Sequence, residues 1–408
     1  MIFKLENHMR FLVLFLVIVL IFGRCTTERA LPTGYDQLQR QYKGEVVVTT
    51  LLPTETAHYW QIPAVGNAQM ILIGREDDVR CYPILRFYPG TALDSTDNIL
   101  SAELVLNQRF LKGESADSLV ALGYRLTDPS WKESTVKWES VSSHIDSDEP
   151  IARVVFPPVD SAEVRAQIPV DLVKEWVGSV TPNGMILTFA EAPILVGFSA
   201  TESSATAAYL QILTKDSNNQ VDTVQVVVSH DATVIDSERN DQPLTKERNP
   251  EILRISNLSG FRTLLRFDLS AIPVEATIHQ AYLTLPFAAS GSETEDYGMG
   301  LVFRTVLEDS GWTLASLKVD STASAPIAVA LSSLGSVSFS ANTTISTMSS
   351  IIQALIFNRL ENYGFLVESS TYGLDAARLA IVNNPSDSTQ VPWLRVTYSR
   401  PATAKFLN

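Results

Sequence analysis

The chain has 408 residues, of which 45% are hydrophobic and 19% are charged, and this composition supports buried cores in two or three domains. Its 31 basic and 45 acidic residues give a net charge of −14, which opposes attraction to nucleic-acid phosphates, so we expect no nucleic-acid partner. The two cysteines, Cys25 and Cys81, lie in different sequence contexts, so neither a disulfide framework nor a cysteine-based zinc site is indicated.

The first element in chain order is an N-terminal secretory leader. Lys4 and Arg10 precede an uninterrupted apolar run over residues 11–22, which is too short to span a membrane but has the length of a signal-peptide core. We therefore predict a leader over residues 1–24 and a polar tether over residues 25–43.

The residues behind the apolar run resemble a bacterial lipoprotein signal, in which a cysteine, here Cys25, carries diacylglycerol and becomes the mature N-terminus. Phe22 and Arg24 differ from the leucine and the small residue that this signal prefers, so ordinary cleavage near Cys25 stays open. In both cases the product is exported. We expect an outer-membrane or cell-surface lipoprotein attached through Cys25, or a secreted protein, with membrane contact only through that lipid.

Two long segments of the chain repeat each other at a nearly constant offset. Residues 84–87 (ILRF) match residues 264–267 (LLRF), a β-branched run precedes each string and a tryptophan follows each, at offsets of 180 and 181 residues. Such a period is that of a whole domain rather than of a solenoid repeat. We predict two tandem domains over residues 44–215 and 222–399, each with its own core, joined by a polar linker over residues 216–221.

Within each predicted domain, apolar and polar residues alternate over short runs that turn residues separate. Leu104 and Leu106 show this spacing, which is typical of half-buried strands. One stretch per domain, 170–177 and 345–357, instead carries apolar residues three and four positions apart and predicts a short helix. The predicted fold class is therefore all-β: two tandem antiparallel β-sandwich domains of jelly-roll type, each with one short helix.

The arginine-containing strings resemble the DNRLRE domain family, whose members are extracellular β-sandwich modules related to carbohydrate-binding modules. The second domain carries the resemblance in residues 262–273, which read RTLLRFDLSAIP. The first domain keeps residues 84–87 but has Tyr88-Pro89-Gly90 where the family has Asp-Leu-Ser. The resemblance implies a sandwich fold and a glycan-associated, cell-surface setting, and it implies no particular ligand.

Arg86 and Arg266 occupy matching places in the two repeated strings. Both lie among apolar residues, where an unpaired guanidinium would be costly, so we expect each to have a carboxylate or carbonyl partner at the edge of a core. We predict structural roles for both arginines, with a direct ligand contact as the alternative.

No catalytic motif is visible in the sequence, which lacks a Gly-rich phosphate loop, a nucleophile elbow and an HExxH helix. Ser229-His230-Asp231 cannot act as a triad, because neighbouring strand residues point to opposite faces of a sheet. Acidic pairs such as Asp77-Asp78 are expected in solvated loops, and structural calcium in such loops stays open. We therefore predict no enzymatic activity and no cofactor.

Aromatic residues are the remaining feature that bears on sugars, because pyranose rings stack on exposed aromatic faces. We place candidate glycan contacts at Tyr59, Trp60, Tyr297 and Tyr372, which we assign to loops. The expected function is that of a non-catalytic cell-envelope protein that binds a polysaccharide or cell-surface glycan. The alternative is a structural or adhesive surface protein whose sandwiches act as spacers or contact other proteins.

Overall fold

The computed structural model of the protein describes residues 45–400, apart from positions 64, 90–91, 94–97, 114–116, 129, 147, 178–182, 191, 204–205, 217–218, 238–246, 249, 295–298, 309–317, 321–326, 330–335 and 340–347. The predicted leader, the tether with Cys25, and Tyr297 lie outside the described residues. Among the described residues, no helix combines the length and the apolar character that a membrane crossing requires.

The described part of the chain is all-β with antiparallel strand pairing, as predicted. The strands are β1 (Val46–Leu51), β2 (Pro53–Trp60), β3 (Met70–Glu76), β4 (Val79–Phe87), β5 (Asn98–Lys112), β6 (Leu119–Leu126), β7 (Ile145–Asp146), β8 (Ala152–Phe156), β9 (Ala162–Gln167), β10 (Asn183–Phe189), β11 (Leu195–Ser199), β12 (Tyr209–Lys215), β13 (Val221–Val227), β14 (His230–Ser237), β15 (Glu247–Arg248), β16 (Ile252–Ser256), β17 (Phe261–Phe267), β18 (Thr277–Glu293), β19 (Met299–Glu308), β20 (Lys318–Val319), β21 (Ile327–Val329), β22 (Ser336–Phe339), β23 (Phe365–Ser369), β24 (Arg378–Val382) and β25 (Trp393–Ser399).

The α-helices within the described residues are short. They are α1 (Trp138–Val141), α2 (Val170–Val177) and α3 (Met348–Ile356). The helices α2 and α3 form where the three- and four-residue apolar spacing predicts them, whereas α1 is a single turn that this spacing does not predict. Both longer helices lie with their apolar side on a sandwich core, which buries Trp176 of α2 and Ile352 of α3.

The strand pairing crosses the predicted domain boundaries. β1 pairs with β25 along its whole length, and β2 pairs with β17, so strands at the start of the described chain complete sheets formed by its second half. Conversely, β13 pairs with β12 and β14 pairs with β4. The first sandwich therefore consists of β3 to β14, and the second consists of β15 to β25 together with β1 and β2.

The segment predicted as an interdomain linker, residues 216–221, connects two paired strands of one sheet. β12 and β13 are hydrogen-bonded from Tyr209 opposite Val227 to Lys215 opposite Val221. At their turn, the backbone N–H of Gln220 donates to the Asp216 carboxylate at 2.8 Å. The linker prediction is corrected accordingly, and the chain passes between sandwiches after β2 and again after β14.

The pairing pattern of the second sandwich repeats that of the first. β18 pairs with β24 and β25 as β5 pairs with β11 and β12, and β23 lies between β17 and β19 as β10 lies between β4 and β6. In this correspondence β1 and β2 match β13 and β14. The sequence repeat therefore begins two strands earlier than the structural repeat, and the first two strands of each sequence repeat belong to the other sandwich.

Each sandwich has an apolar core of its own. Phe87 stacks on Trp176 at 5.8 Å between ring centroids in the first core, and Phe267 contacts Phe365 at 6.3 Å in the second. A further apolar cluster lies at the junction, where buried Cys81 and Leu195 of the first sandwich pack with Leu258 and Ala376 of the second. These contacts hold the two sandwiches in one arrangement.

A lysine bridges the junction next to this apolar cluster. The Lys112 ammonium lies 2.9 Å from a carboxylate oxygen of Glu76 in its own sandwich and 2.9 Å from one of Glu293 in the other. Burial lowers the pKa of Lys112, but the hydrogen bonds to Glu293 and Glu76 outweigh burial and raise the pKa above its ordinary value. The bridge therefore stays charged at neutral pH.

Candidate functional site

A cleft of about 330 Å³ lies where the β3–β4 turn of the first sandwich meets the second sandwich. This volume falls at the small end of the range for ligand pockets, roughly 300–1,000 Å³. The cleft is lined by Asp77, Asp78, Ile252, Arg254, Ile255, Ser256, Ser259, Phe261, Ser290, Gly291, Arg378, Leu379 and Ala380. The lining thus combines carboxylates, guanidinium groups, hydroxyls and apolar surface from both sandwiches.

One wall of the cleft is the tight turn between β3 and β4. Asp77 has a φ of 51°, a left-handed conformation that aspartate tolerates better than most residues. The Arg75 Nε donates to the Asp77 carbonyl at 2.8 Å, and Arg378 of β24 donates to the Asp77 carboxylate at 2.8 Å. The turn is therefore fixed from both sandwiches, which sets the width of the cleft at this end.

A bulge in β18 forms another part of the wall. The register of β18 against β24 shifts between Ala288 and Glu293, and Gly291 in this stretch has a φ of 86°, which favours glycine. The backbone N–H of Ala380 donates to the Ser292 hydroxyl at 2.9 Å, which ties the bulge to the neighbouring strand. The bulge places Ser290 and Gly291 in the cleft.

The loop from β16 to β17 supplies hydroxyls to the cleft. The hydroxyls of Ser256 and Ser259 lie 2.7 Å apart, and the backbone N–H of Phe261 donates to the Ser256 hydroxyl at 3.0 Å. These bonds order the loop and place two hydroxyls beside the Phe261 ring.

The Phe261 ring is the aromatic surface of the cleft. The guanidinium of the exposed Arg254 lies 5.6 Å from the ring centroid, and the ring of buried His58 meets Phe261 edge-on at 5.5 Å. A guanidinium over an aromatic ring is attracted to the electron-rich face of the ring. The arrangement offers donors, acceptors and an apolar surface to one small ligand.

In the part of the chain that the structure describes, no group of three or more His, Cys, Asp or Glu side chains is placed to hold a metal ion. Asp77, one of the acidic pair considered for calcium, is instead paired with Arg378.

The structure places two of the predicted glycan-contacting aromatics in a strand rather than in loops. Tyr59 and Trp60 belong to β2 and are only 2% and 6% exposed. Their burial follows from the strand exchange, because β2 pairs with β17 along almost its whole length. Their position in β2 corrects the assignment to loops. Because both side chains are buried, neither ring offers an open face on which a sugar could stack.

Tyr59 and Tyr372 are nevertheless brought together around one arginine. The Arg262 guanidinium lies 6.0 Å from the Tyr59 ring centroid and 5.2 Å from that of Tyr372. Glu368 accepts from the Tyr372 hydroxyl at 3.4 Å and is paired with Arg262 at 3.4 Å and with Arg304 at 2.6 Å. Burial raises the pKa of both phenols, so they stay protonated and the cluster acts as an internal polar network.

The two matching arginines have different partners. Arg86 is 7% exposed, donates to the Trp131 carbonyl and has its guanidinium 4.2 Å from the centroid of the Trp131 ring. Arg266 is more exposed and forms an ion pair with Glu55 at 3.3 Å. Neither arginine lines the cleft.

These partners predict unequal effects of the same substitution. Arg86→Met should lower the free energy of unfolding by about 1–3 kcal/mol, because the Trp131 carbonyl loses its buried donor and the ring loses the cation. Arg266→Met should cost about 1 kcal/mol or less, since water can solvate the partly exposed Glu55. Urea unfolding of both variants measures the difference, and equal losses or a reversed order would contradict this assignment.

Sequence reasoning missed most of the residues that line the cleft. Arg254, Phe261 and Arg378 belong to no motif, and the acidic pair Asp77-Asp78 indicates only a solvated loop. No local signal could have found them together, because Asp77 and Arg378 are 301 residues apart in the chain and meet only at the junction of the sandwiches.

A scan of the chain against protein-family models and a search of curated proteins both found no match.

Proposed function

We propose that the protein is a non-catalytic, exported cell-envelope protein of two jelly-roll-type sandwiches that binds a glycan in the cleft between them. The observation that carries this proposal is the lining of the cleft, which combines the hydroxyls of Ser256 and Ser259, carboxylates and guanidiniums with the Phe261 ring. Sugars present hydroxyls that both donate and accept, together with apolar C–H faces, and such a lining complements both.

Two further features support a glycan ligand. The cleft is built from fixed elements, since Arg378 holds the Asp77 turn and Lys112 bridges the sandwiches beside it. A preorganised site loses little freedom when it binds a hydroxyl-rich ligand. The resemblance of residues 262–273 to the DNRLRE family adds a glycan-associated setting to the proposal.

The alternative function is that of a structural or adhesive surface protein whose sandwiches act as spacers or contact other proteins. A chain that binds no glycan would favour this alternative.

A glycan array probed with the full mature chain tests the proposed function. We expect at least one glycan to bind, and we expect Ser290→Trp, which fills the cleft from the exposed bulge, to weaken that binding at least about tenfold. Ser161→Trp, at an exposed position away from the cleft, is the matched control and should bind as the natural chain does. Absence of any glycan ligand, or full binding by Ser290→Trp, would refute the proposal.

Export and attachment are proposed from the leader-like residues 1–24 and from Cys25, which would carry a lipid. A Cys25→Ala variant is expected to leave the membrane fraction and to lose incorporation of labelled palmitate. Unchanged labelling of that variant would show that Cys25 is not the lipid-bearing residue.

A further inference from the structure

The charged groups of the cleft are not evenly paired. Arg378 donates to Asp77 at 2.8 Å and lies 3.1 Å from a carboxylate oxygen of Glu293, so its charge is compensated. Asp78 accepts a hydrogen bond from the Ser237 hydroxyl at 3.2 Å. Among the described residues of the cleft, Arg254 is the one cation that has no carboxylate within ion-pair distance.

The position of Arg254 is set by its surroundings. Its backbone lies in β16, opposite Ala380 of β24, and its carbonyl accepts from the Thr263 hydroxyl at 3.1 Å. Its guanidinium lies over Phe261, and the N–H donors of a guanidinium form a planar fork. Such a fork matches the two oxygens of a carboxylate, or of a sulfate group, in a bidentate geometry.

The part of the cleft around Arg378 and the β3–β4 turn is acidic. The four carboxylates there belong to Glu76, Asp77, Asp78 and Glu293, and they exceed by one the three cations Arg75, Lys112 and Arg378. Carboxylates accept hydrogen bonds from neutral sugar hydroxyls but repel a second anionic group. The cleft therefore presents Arg254 as a cation without a carboxylate partner and, around Arg378, an excess of carboxylate.

We propose that the cleft selects a glycan in which one acidic sugar is followed by neutral sugars, with the acidic group paired to Arg254 and neutral hydroxyls facing Asp77 and Asp78. This inference rests on the proposed function and adds the class of ligand. It excludes polymers that carry an anionic group on every sugar, because the second group would meet the acidic side of the cleft.

Calorimetry with defined oligosaccharides of equal length tests the inference. The probes are one that alternates a uronate with a neutral sugar, its carboxyl-reduced form, a sulfated neutral oligosaccharide and a uniform polyuronate. We expect the alternating oligosaccharide to bind about tenfold more tightly than its reduced form. We also expect this preference to shrink as salt concentration rises, and the polyuronate to bind more weakly. Comparison of the uronate and sulfate probes distinguishes the two sources of the anionic group.

The variant Arg254→Gln should lower the affinity for the acidic oligosaccharide much more than the affinity for the reduced form, so that the preference for the acidic form is lost. Arg254→Lys should retain part of the preference, and Arg153→Gln, at an exposed arginine of the first sandwich, is the matched control that should retain all of it. If the reduced and acidic forms bind the natural chain equally, or the polyuronate binds most tightly, the inference fails and glycan binding stands. If no oligosaccharide binds, both proposals fail.

Discussion

Residues 65–237 expressed alone should fold into a cooperative β-sandwich, whereas residues 44–215 should not. The fragment of residues 44–215 lacks β14, which pairs with β4 over eight residue pairs, and it lacks β13, the partner of β12. It also loses the buried side chains Val226, Val234 and Ile235. At about 1.5–3 kcal/mol for each buried aliphatic side chain, this loss approaches the whole stability of a typical domain, about 5–15 kcal/mol.

The second sandwich should show the complementary behaviour. Residues 222–399 lack β1 and β2, so this fragment should remain unfolded. A permuted chain that runs from residue 247 to residue 400, through a short linker and then from residue 45 to residue 61, should fold, because residues 400 and 45 are already hydrogen-bonded neighbours. Thermal melts followed by far-ultraviolet circular dichroism compare all four chains. Cooperative melting of residues 44–215 would contradict the strand exchange.

The free energy of unfolding should decrease as pH rises from about 4 to about 7, through the ionisation of Asp231. This carboxyl is fully buried in β14; its Oδ2 accepts from the Thr201 backbone N–H at 2.8 Å, and its Oδ1 has no hydrogen-bond partner. Burial raises the pKa of Asp231 to about 7. The folded state thus holds a proton that the unfolded chain, with an aspartate pKa of about 3.9, has already released.

The sign and the size of this effect follow from linkage. Below pH 4 both states are protonated at Asp231 and the group imposes no penalty, whereas above pH 7 both are ionised and the folded state carries the full cost of a buried charge. A difference of roughly three pKa units corresponds to about 4 kcal/mol between these limits.

Urea unfolding of the natural chain and of Asp231→Asn between pH 4 and pH 8 isolates this group. The amide keeps an oxygen for the Thr201 N–H and cannot ionise, so the variant should gain stability relative to the natural chain as pH rises. Asp222→Asn, at an exposed position of β13, is the matched control and should leave the pH dependence unchanged. Parallel curves for the natural chain and Asp231→Asn would contradict the assignment.

The fold class and the local elements of this protein could be predicted from the sequence, because they depend on short-range periodicity. Alternation at Leu104 and Leu106 places both side chains on the core face of β5, and the apolar spacing in residues 170–177 forms α2. The constant offset between the two LRF strings likewise predicts that the second half repeats the elements of the first, since similar local patterns form similar strands.

The partners of those strands were decided only by the tertiary structure. The β-branched runs of β1 and β13 are alike in sequence, and their periodicity is satisfied by any strand of matching register, so no local pattern shows that each completes the other sandwich. The same exchange buries Tyr59 and Trp60, and the packing of the two sandwiches brings Asp77 to Arg378 and both to the cleft with Arg254. Side-chain periodicity specifies which face of a strand is buried, whereas the neighbour it pairs with depends on long-range packing, which is a property of the whole chain.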